Sequence, residues 1–434
     1  MAASKMNPSY LHPRDELALI MERIYRYKMT TLSGGNLSIR GDENDLWITP
    51  SGVDKGALRH SDMVRVRSDG TFEGPHRPSS ELPFHQAIYR ARLDLRAVVH
   101  AHPMALVAFS LLRRAPETRA LPLSWEIEGR VGFAPYGRPG SEDLGRKIAA
   151  EYARGFDSVI LENHGVCCAG PDLPAAFQRF ETLEFTAKSL IKAAAIGPVR
   201  RLTPAQMRAD RRAARALPEF DPDPPSNREK ELRRELCDFI QRGCRQRLLT
   251  AAAGSYSARL GPDEFLITPY PFDRYAVAPA DLVRVRRGRR ERGRTPSRAA
   301  ALHRAIYLAH PAAQSLINAH PIHATAFSLA RQAPDSRAIP ESYVLIREVS
   351  RLPFEAPLRD FSAVAAALTP SRPVAVLENN GVMVLGESVL GAYDRLEVLE
   401  HTAEALLDAR ALGRPRPMPP SVIADLRRVF LADR

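Results

Sequence analysis

The sequence predicts a layered α/β sandwich that occurs twice in tandem, and two observations carry that reading. The first is an internal repeat. Ile48-Thr49-Pro50 returns as Ile267-Thr268-Pro269, the run Asp62 to Arg67 as Asp281 to Arg286, and His85 to Tyr89 as His303 to Tyr307. Ala101-His102-Pro103 returns as Ala319-His320-Pro321, Ala108 to Leu111 as Ala326 to Leu329, and Leu161-Glu162-Asn163 as Leu377-Glu378-Asn379, all in one order at a nearly constant separation. The second observation is that short strand-like apolar runs stand among helical patterns in each copy, which suits stacked layers better than a barrel.

Taken in order through the first copy, Arg14 to Lys28 repeats apolar residues at helical spacing, and Asn36 to Arg40 and Asp45 to Ile48 read as strands. Pro83 to Ala91 is helical, Leu95 to Ala101 strand-like and Met104 to Leu112 helical. Ser158 to Leu161 reads as a strand, and Leu173 to Ala195 as a long helix with Phe177, Phe180, Leu183, Ala187 and Leu190 on one face. Between the copies the Pro-dense stretch PVRRLTPAQ…PEFDPDPPSN can sustain neither a helix nor a central strand along its length, although a short helix fits Gln206 to Leu217. The tail opens with RPRPMPP and ends in an amphipathic helix. These breaks set a first domain at 1–197, a linker at 198–227, a second domain at 228–413 and a tail at 414–434.

Composition excludes several classes. The 434 residues carry 62 Lys+Arg against 50 Asp+Glu, a net charge of +12, within globular proportions, so disordered and disulfide-rich classes are out. Four cysteines, Cys167, Cys168, Cys237 and Cys244, have neither the spacing of a metal knuckle nor that of a secreted framework, which indicates a reducing compartment. The N-terminus lacks an apolar signal core and no run of about 18 apolar residues could span a bilayer, so a cytoplasmic protein with no membrane partner is expected. The basic excess favours anionic partners, phosphorylated metabolites or nucleic acid.

His100 and His102 stand at i and i+2 on a strand-like run, so both point to one face and could share a metal ion. Such a pair serves equally well as hydrogen-bonded structural histidine. Asn163-His164-Gly165, at a turn after an apolar strand, adds a third imidazole where glycine lets the backbone approach closely. Three neutral imidazoles with positions left open have the makings of a catalytic rather than a structural zinc site.

The ordered set GGNLS (Gly34 to Ser38), TPSG (Thr49 to Gly52), PSSE (Pro78 to Glu81) with His85 and Tyr89, VVHAHP (Val98 to Pro103) and NHG (Asn163 to Gly165) resembles the class II aldolase/adducin family. The resemblance spans about residues 12 to 196, with a weaker version at about 230 to 412. It implies two tandem class II aldolase-like three-layer α/β/α sandwich domains. It also implies that His100, His102 and His164 ligate one zinc ion, that Glu81 is the catalytic acid/base, and that Gly35, Asn36, Ser51, Gly52, Ser79 and Ser80 hold a substrate phosphate. Gly and Ser turns supply backbone N–H and hydroxyl donors to phosphate oxygens. The function so implied is that of a zinc-dependent aldehyde-lyase cleaving a phosphorylated ketose or keto acid through a metal-stabilised enediolate, with Glu81 tuned toward the operating pH. Decarboxylation, dehydration and epimerisation use the same intermediate, and an adducin-like interaction protein is the rival from a different class. Family resemblance further implies a homo-oligomer with active sites at domain or subunit interfaces.

The second copy departs from the pattern. Glu81 corresponds to Ala299, His100 to Asn318 and His164 to Asn380, and only His102 persists, as His320. Ser255 stands for Asn36, Tyr270-Pro271 for Ser51-Gly52 and Arg298 for Ser80. One imidazole and two amides make no useful zinc site, so the second domain reads as a degenerate pseudo-enzyme. His85 and His303, present in both halves, read as helix-packing residues, and His320 as structural. His60 and His76 read as exposed loop residues, and Cys167 and Cys168 as core. Tyr343, aligned with Trp125, either packs in its own domain or reaches into the first domain's pocket. The arginine-rich run RVRRGRRERGR from Arg284 to Arg294 has no interleaved aromatics, so it reads as a solvated hairpin rather than a nucleic-acid grip.

Overall fold

The computed structural model describes residues 11–41, 44–213 and 217–431. Two compact units emerge, one running to Thr118 and including Ser124–Ala187, the other comprising Arg119–Leu123 and the chain from Lys188 onward. In the first copy the elements run α1 (Pro13–Arg26), β1 (Asn36–Arg40), β2 (Leu46–Ile48), β3 (Val64–Val66), β4 (Phe72–Glu73), α2 (Leu82–Ala91), β5 (Ala97–Ala101) and α3 (Met104–Leu111). They continue with α4 (Pro122–Glu128), β6 (Gly132–Ala134), α5 (Glu142–Ala153), β7 (Ser158–Leu161), β8 (Gly165–Gly170) and α6 (Leu173–Ala194). The eight strands form one sheet in the order β4-β3-β2-β1-β5-β8-β7-β6. Each expected strand and helix forms, with ends shifted by one or two residues.

Helices α4 and α5 and strands β3, β4 and β6 lie outside the sequence expectation, and of the two helices α5 is the one that builds core. Helix α5 opens on Ser141, whose hydroxyl accepts from Leu144 N at 3.2 Å, with Glu142 and Asp143 complementing the dipole of its first turn. Its apolar stripe Leu144, Ile148 and Tyr152 packs with Phe84 and Ile88 of α2 over Val98, Val159 and Cys167 of the sheet. Cys167 and Cys168 alternate to the two faces of β8, both fully buried, and burial pushes the Cys167 thiol up to about 12. All four cysteines are buried, and none is in a disulfide.

Past the first copy come α7 (Pro204–Ala213), β9 (Glu219–Phe220), α8 (Asn227–Arg245), β10 (Ser255–Gly261), β11 (Glu264–Ile267), β12 (Val283–Arg286), β13 (Arg289–Glu291), α9 (Ala300–Ala309), β14 (Ser315–Ala319) and α10 (Ile322–Leu329). The chain closes with α11 (Pro340–Ile346), β15 (Ser350–Leu352), α12 (Ala356–Arg359), α13 (Phe361–Ala367), β16 (Val374–Leu377), β17 (Val382–Gly386), α14 (Val389–Leu412) and α15 (Pro420–Phe430). The second sheet runs β15-β16-β17-β14-β10-β11-β12-β13-β9, which repeats the first and adds an edge strand. That added strand comes from the Pro-dense stretch. β9 pairs in parallel with β13, at the edge position where proline-rich chain is tolerated. The expected helix at Gln206 to Leu217 appears as α7, and residues 214–216 lie outside those described.

The arginine-rich run is a hairpin with Arg287, Arg289 and Arg292 exposed, as expected, and several of its arginines are ion-paired as well. Arg287 and Gly288 both have positive φ, as a two-residue turn between β12 and β13 requires. Arg284 pairs with Glu229 at 2.8 Å, Arg286 with Asp223 at 2.8 Å, Arg290 with Glu219 at 2.8 Å and Arg292 with Asp221 at 2.6 Å. Acids on and beside β9 therefore pair with three of the seven arginines, and Glu229 of α8 with a fourth. Tyr343 is buried within the second unit, where its hydroxyl accepts from Arg427 Nε of α15, the first of the two placements expected for it. Among the described residues, no helix is long and apolar enough to cross a membrane.

Candidate metal centre and its carboxylate

Strand register brings the site together. Asn36 on β1 sits opposite His100 on β5, which in turn sits opposite Cys167 on β8, so His100 lies in the middle of the sheet and is fully buried. His102 follows at the end of β5, and His164 occupies the tight turn from β7 to β8. That turn depends on two backbone features. Asn163 adopts φ 55°, the left-handed region that asparagine tolerates, and a Cβ on Gly165 would stand 2.5 Å from the carbonyl oxygen of Ala101. Gly35, with φ 75°, passes equally close to the other side, since a Cβ there would meet His100 O at 2.8 Å.

The three imidazoles converge. Their ring centroids lie 4.8 to 4.9 Å apart, and one nitrogen from each falls within 4.8 Å of the others. His100 Nδ1 donates to Val166 O at 2.9 Å, which orients the ring and turns Nε2 toward the cluster. That Nε2 faces His102 Nε2 at 3.0 Å and Glu81 Oε2 at 3.1 Å, while His164 Nε2 stands 3.5 Å from Glu81 Oε1. Burial drives His102 down to about 3 and His164 to about 4, so both are neutral lone-pair donors at physiological pH. Lone pairs crowded at 3 Å repel unless a proton or cation lies among them, and Glu81 Oε1 has no hydrogen-bond partner. The donor set fits a divalent metal, and it is the one such His/Cys/Asp/Glu cluster found among the described residues.

Glu81 caps the start of α2 and is nearly buried. Burial alone would raise its carboxyl, but the charge and hydrogen bond of His100, with His164 and Asn36, hold it well below the usual carboxylate range. The direction is opposite to the tuning toward the operating pH expected above. The reason is that imidazoles rather than apolar groups face the carboxylate, so Glu81 stands ionised and ready to accept a proton.

The Gly/Ser loops border this cluster. A bridge between Pro50 and Pro78, with Ser51 N donating to Arg77 O at 3.0 Å, lays the TPSG loop beside PSSE. Gly52, at φ 67°, faces open space, Ser80 is exposed, and Ser79 is buried with its hydroxyl accepting from Glu81 N at 3.3 Å. Asn36 does not face these loops with its whole amide. Its Nδ2 donates to Glu81 Oε2 at 2.8 Å, and its Oδ1 accepts from His85 Nε2.

Sequence reasoning missed this relay. His85 Nδ1 bonds Ser38 Oγ at 2.7 Å, and Ser38 Oγ bonds the Tyr89 hydroxyl at 2.8 Å, so a buried chain runs from Tyr89 through Ser38, His85 and Asn36 to Glu81. His85, driven by burial to about 3, stays neutral and carries one proton, on the nitrogen that faces Asn36. His85 thus packs the helix, as expected, and also orients Asn36. The internal comparison held the signal: Asn36 and Glu81 are replaced together in the second copy, whereas Ser257, His303 and Tyr307 keep the rest of the chain, with Ser257 Oγ 2.8 Å from both partners. A second missed residue is Lys55, buried with its ammonium donating to Pro50 O under the TPSG loop, its pKa lowered by burial to about 8. Of the remaining histidines, His60 is exposed, while His76 is half-buried against Asp62 at 3.3 Å rather than free in a loop.

Comparison with known proteins gives the same architecture a lineage. The family described as Class II Aldolase and Adducin N-terminal domain matches residues 15–191 and again 234–407. The chain is 34% identical over 171 residues to an L-fuculose phosphate aldolase of Methanocaldococcus jannaschii, covering 39% of this chain and 90% of that protein. It is 33% identical over 194 residues to a 3-oxo-tetronate 4-phosphate decarboxylase of Escherichia coli, covering 44% and 91%. The solved structure of YgbL from Escherichia coli aligns at 31% identity and TM-score 0.42, covering 45% of this chain and 95% of that one.

Proposed function

The chain belongs to the class II aldolase and adducin family, and from that premise we propose that its first copy is a zinc-dependent lyase that breaks a carbon–carbon bond beside the carbonyl of a small phosphorylated ketose or keto acid. The observation that carries this reading is the placement of the Glu81 carboxylate, 3.1 to 3.5 Å from two of three converging imidazoles. His100, His102 and His164 would hold the metal, which supplies Lewis-acid stabilisation for negative charge developing on a substrate oxygen.

The other residues orient the substrate and move the proton. Backbone and hydroxyl donors of Gly35, Ser51, Gly52, Ser79 and Ser80, with the Lys55 charge beneath them, receive the phosphate. Glu81 takes the hydroxyl proton whose loss lets the bond break, and returns it to the carbon left with the electron pair. Asn36 keeps one carboxylate oxygen occupied, so the proton goes to and from Oε1, the oxygen without a partner. The convergence of three imidazoles that could hold a metal also weighs against an adducin-like role without catalysis.

A second reading, decarboxylation of a phosphorylated keto acid, is supported by relatives of that activity at the same level of identity as the aldolase relatives. It uses the same residues, with carbon dioxide leaving in place of an aldehyde and the proton that Glu81 passes to the carbon left with the electron pair drawn from water. One experiment tests both. Protein purified without added metal is analysed for zinc, then assayed with phosphorylated ketoses and keto acids for aldehyde and for carbon dioxide, beside Glu81→Gln and the His100→Ala/His164→Ala pair. About one zinc per chain, lost only in the histidine pair, with turnover lost in both variants, is expected. Absence of zinc even when it is supplied, or undiminished turnover in Glu81→Gln, would overturn the proposal.

A further inference from the structure

The second copy keeps a cavity where the first has its metal cluster. It measures about 390 Å³ and is lined by Arg274, Arg298, Ala299, Asn318, His320 and Asn380, among others. The residues that could have held a metal are gone as a set, since Asn318 spends its amide on Val382 O at 3.2 Å and His320 Nε2 faces Asn380 Oδ1 at 3.3 Å. What has replaced them is positive charge. Ala299 removes the carboxylate that Glu81 supplies in the first copy, Arg298 stands where Ser80 does, and Arg274 where Lys55 does.

Arg274 is the more telling of the two. It is 3% exposed, its Nε donates to Gly254 O at 3.1 Å, and one terminal nitrogen donates to Phe272 O, but no carboxylate pairs with it among the described residues. A buried guanidinium whose hydrogen bonds go only to backbone carbonyls is costly, because its charge has left water, and the nearby Asp273 charge offsets only part of that loss. Desolvation brings its pKa down to about 10 and the nearby Arg298 charge pushes the same way, yet it remains a cation at physiological pH. The Arg298 guanidinium lies 5.3 Å from the Tyr270 ring centroid, on the same cavity. Arg290, also on the lining, pairs with Glu219 at 2.8 Å, and Asp210 is the single carboxylate there. Polar atoms without partners add to the picture: His320 Nδ1, at the lining, and His303 Nε2, which lost its acceptor when Asn36 became Ser255, are both buried and unsatisfied.

We propose that this cavity is a metal-independent binding site for a small phosphate-bearing metabolite, in which Arg274 and Arg298 together receive the phosphate dianion. Two guanidinium forks match the charge and the several acceptor oxygens of a phosphate monoester better than they match a single carboxylate. The duplicated copy then exchanges a site that does chemistry for a site that binds, with no metal and no general base left to act on the ligand.

The test is calorimetric titration of inorganic phosphate into the full chain stripped of metal by chelation, alongside Arg298→Ser, Arg274→Lys and, in the first copy, Ser79→Ala/Ser80→Ala. Arg298→Ser restores the first copy's residue at a cavity position, and its unfolding midpoint reports whether it folds; Arg274→Lys keeps the charge and removes the fork. The expected result is a binding event that weakens at least tenfold in both arginine variants and survives in the serine pair. Unchanged binding in both arginine variants, loss of all binding in the serine pair, or no binding to the parent chain would each overturn the proposal. Zinc content and lyase turnover of Arg298→Ser, measured in parallel, separate this outcome from any failure of the first copy's assigned chemistry.

Discussion

Asn36 Nδ2 donates to Glu81 Oε2 across 2.8 Å inside the protein, and that bond leaves Oε1 as the carboxylate oxygen without a hydrogen-bond partner. Asn36 is itself held by His85, so the orientation of the carboxylate reaches back through a buried polar chain to Tyr89. The second copy, which has Ser255 instead, folds around a His303 lacking that partner, so loss of the amide is tolerable to the fold.

Asn36→Ser should therefore lower kcat while leaving zinc binding intact. A hydrogen bond to a charged group contributes about 1.5–3 kcal/mol, which corresponds to a loss of roughly ten- to hundredfold in turnover. Elemental analysis and steady-state kinetics check the two halves of the statement; loss of zinc would show that Asn36 supports the ligands rather than the carboxylate.

Gly165→Ala should be far more damaging than its size suggests. The added Cβ would lie 2.5 Å from Ala101 O and 2.8 Å from the His102 ring, so backbone must shift at the turn that carries His164. A destabilisation of about 1–3 kcal/mol is expected, as for overpacking elsewhere, together with a marked fall in zinc affinity. Urea unfolding and zinc titration with a competing chelator measure both.

Acid should weaken the fold through histidines that refuse a proton. His303 is fully buried and neutral down to about pH 3, whereas a histidine in the unfolded chain titrates near 6.5. Between those values the unfolded state holds the extra proton, so stability rises with pH across that window and is lost as pH falls from about 6.5 toward 3. Going from pH 7 to pH 5 costs about 2 kcal/mol for such a group. Equilibrium unfolding of His303→Gln at both pH values should show a shallower loss than the parent chain.

Glu128 works with the opposite sign. It is buried, bonded by Ser158 at 2.7 Å, and burial pushes its carboxyl up to about 8. Between about pH 4.5 and 8 the unfolded chain releases a proton that the fold keeps, so this group lowers stability as pH rises through that window. Glu128→Gln, which keeps the hydrogen bond without the ionisation, should stabilise the chain by about 1–3 kcal/mol at pH 7 and do little at pH 4. Chemical denaturation at the two pH values tests it.

The repeat made most of the fold legible, because apolar periodicity and turn residues recur in both copies and err independently. Strand β1, for instance, is read from Asn36 to Arg40 and forms there. What escaped was of two kinds. Helix α5 lies in a stretch that opens with proline and glycine, and its stripe of Leu144, Ile148 and Tyr152 is spaced too sparsely to stand out until Ser141 is seen to cap it. Strand β9 has two residues and no intrinsic signal; it exists because arginines on β13 and β12 hold its flanking acids. At the site, the His-x-His spacing and the NHG turn pointed to a cluster that the structure does assemble, whereas the part played by Asn36 depends on cross-strand register with His100, which no local pattern encodes.

The ion-paired hairpin also changes how the chain should meet proteases. On paper, the run from Arg284 to Arg294 is a string of tryptic cleavage points. In the fold the bonds after Arg284, Arg289 and Arg290 lie in strands at the edge of the nine-stranded sheet, with β12 pairing β11 and β13 clasped by β9, and a protease can thread them only once that edge has been peeled away. Digestion there is gated by the opening of the ribbon rather than by the abundance of arginine, so screening the Asp221, Asp223 and Glu219 pairs with salt would loosen a clasp as well as shield a charge.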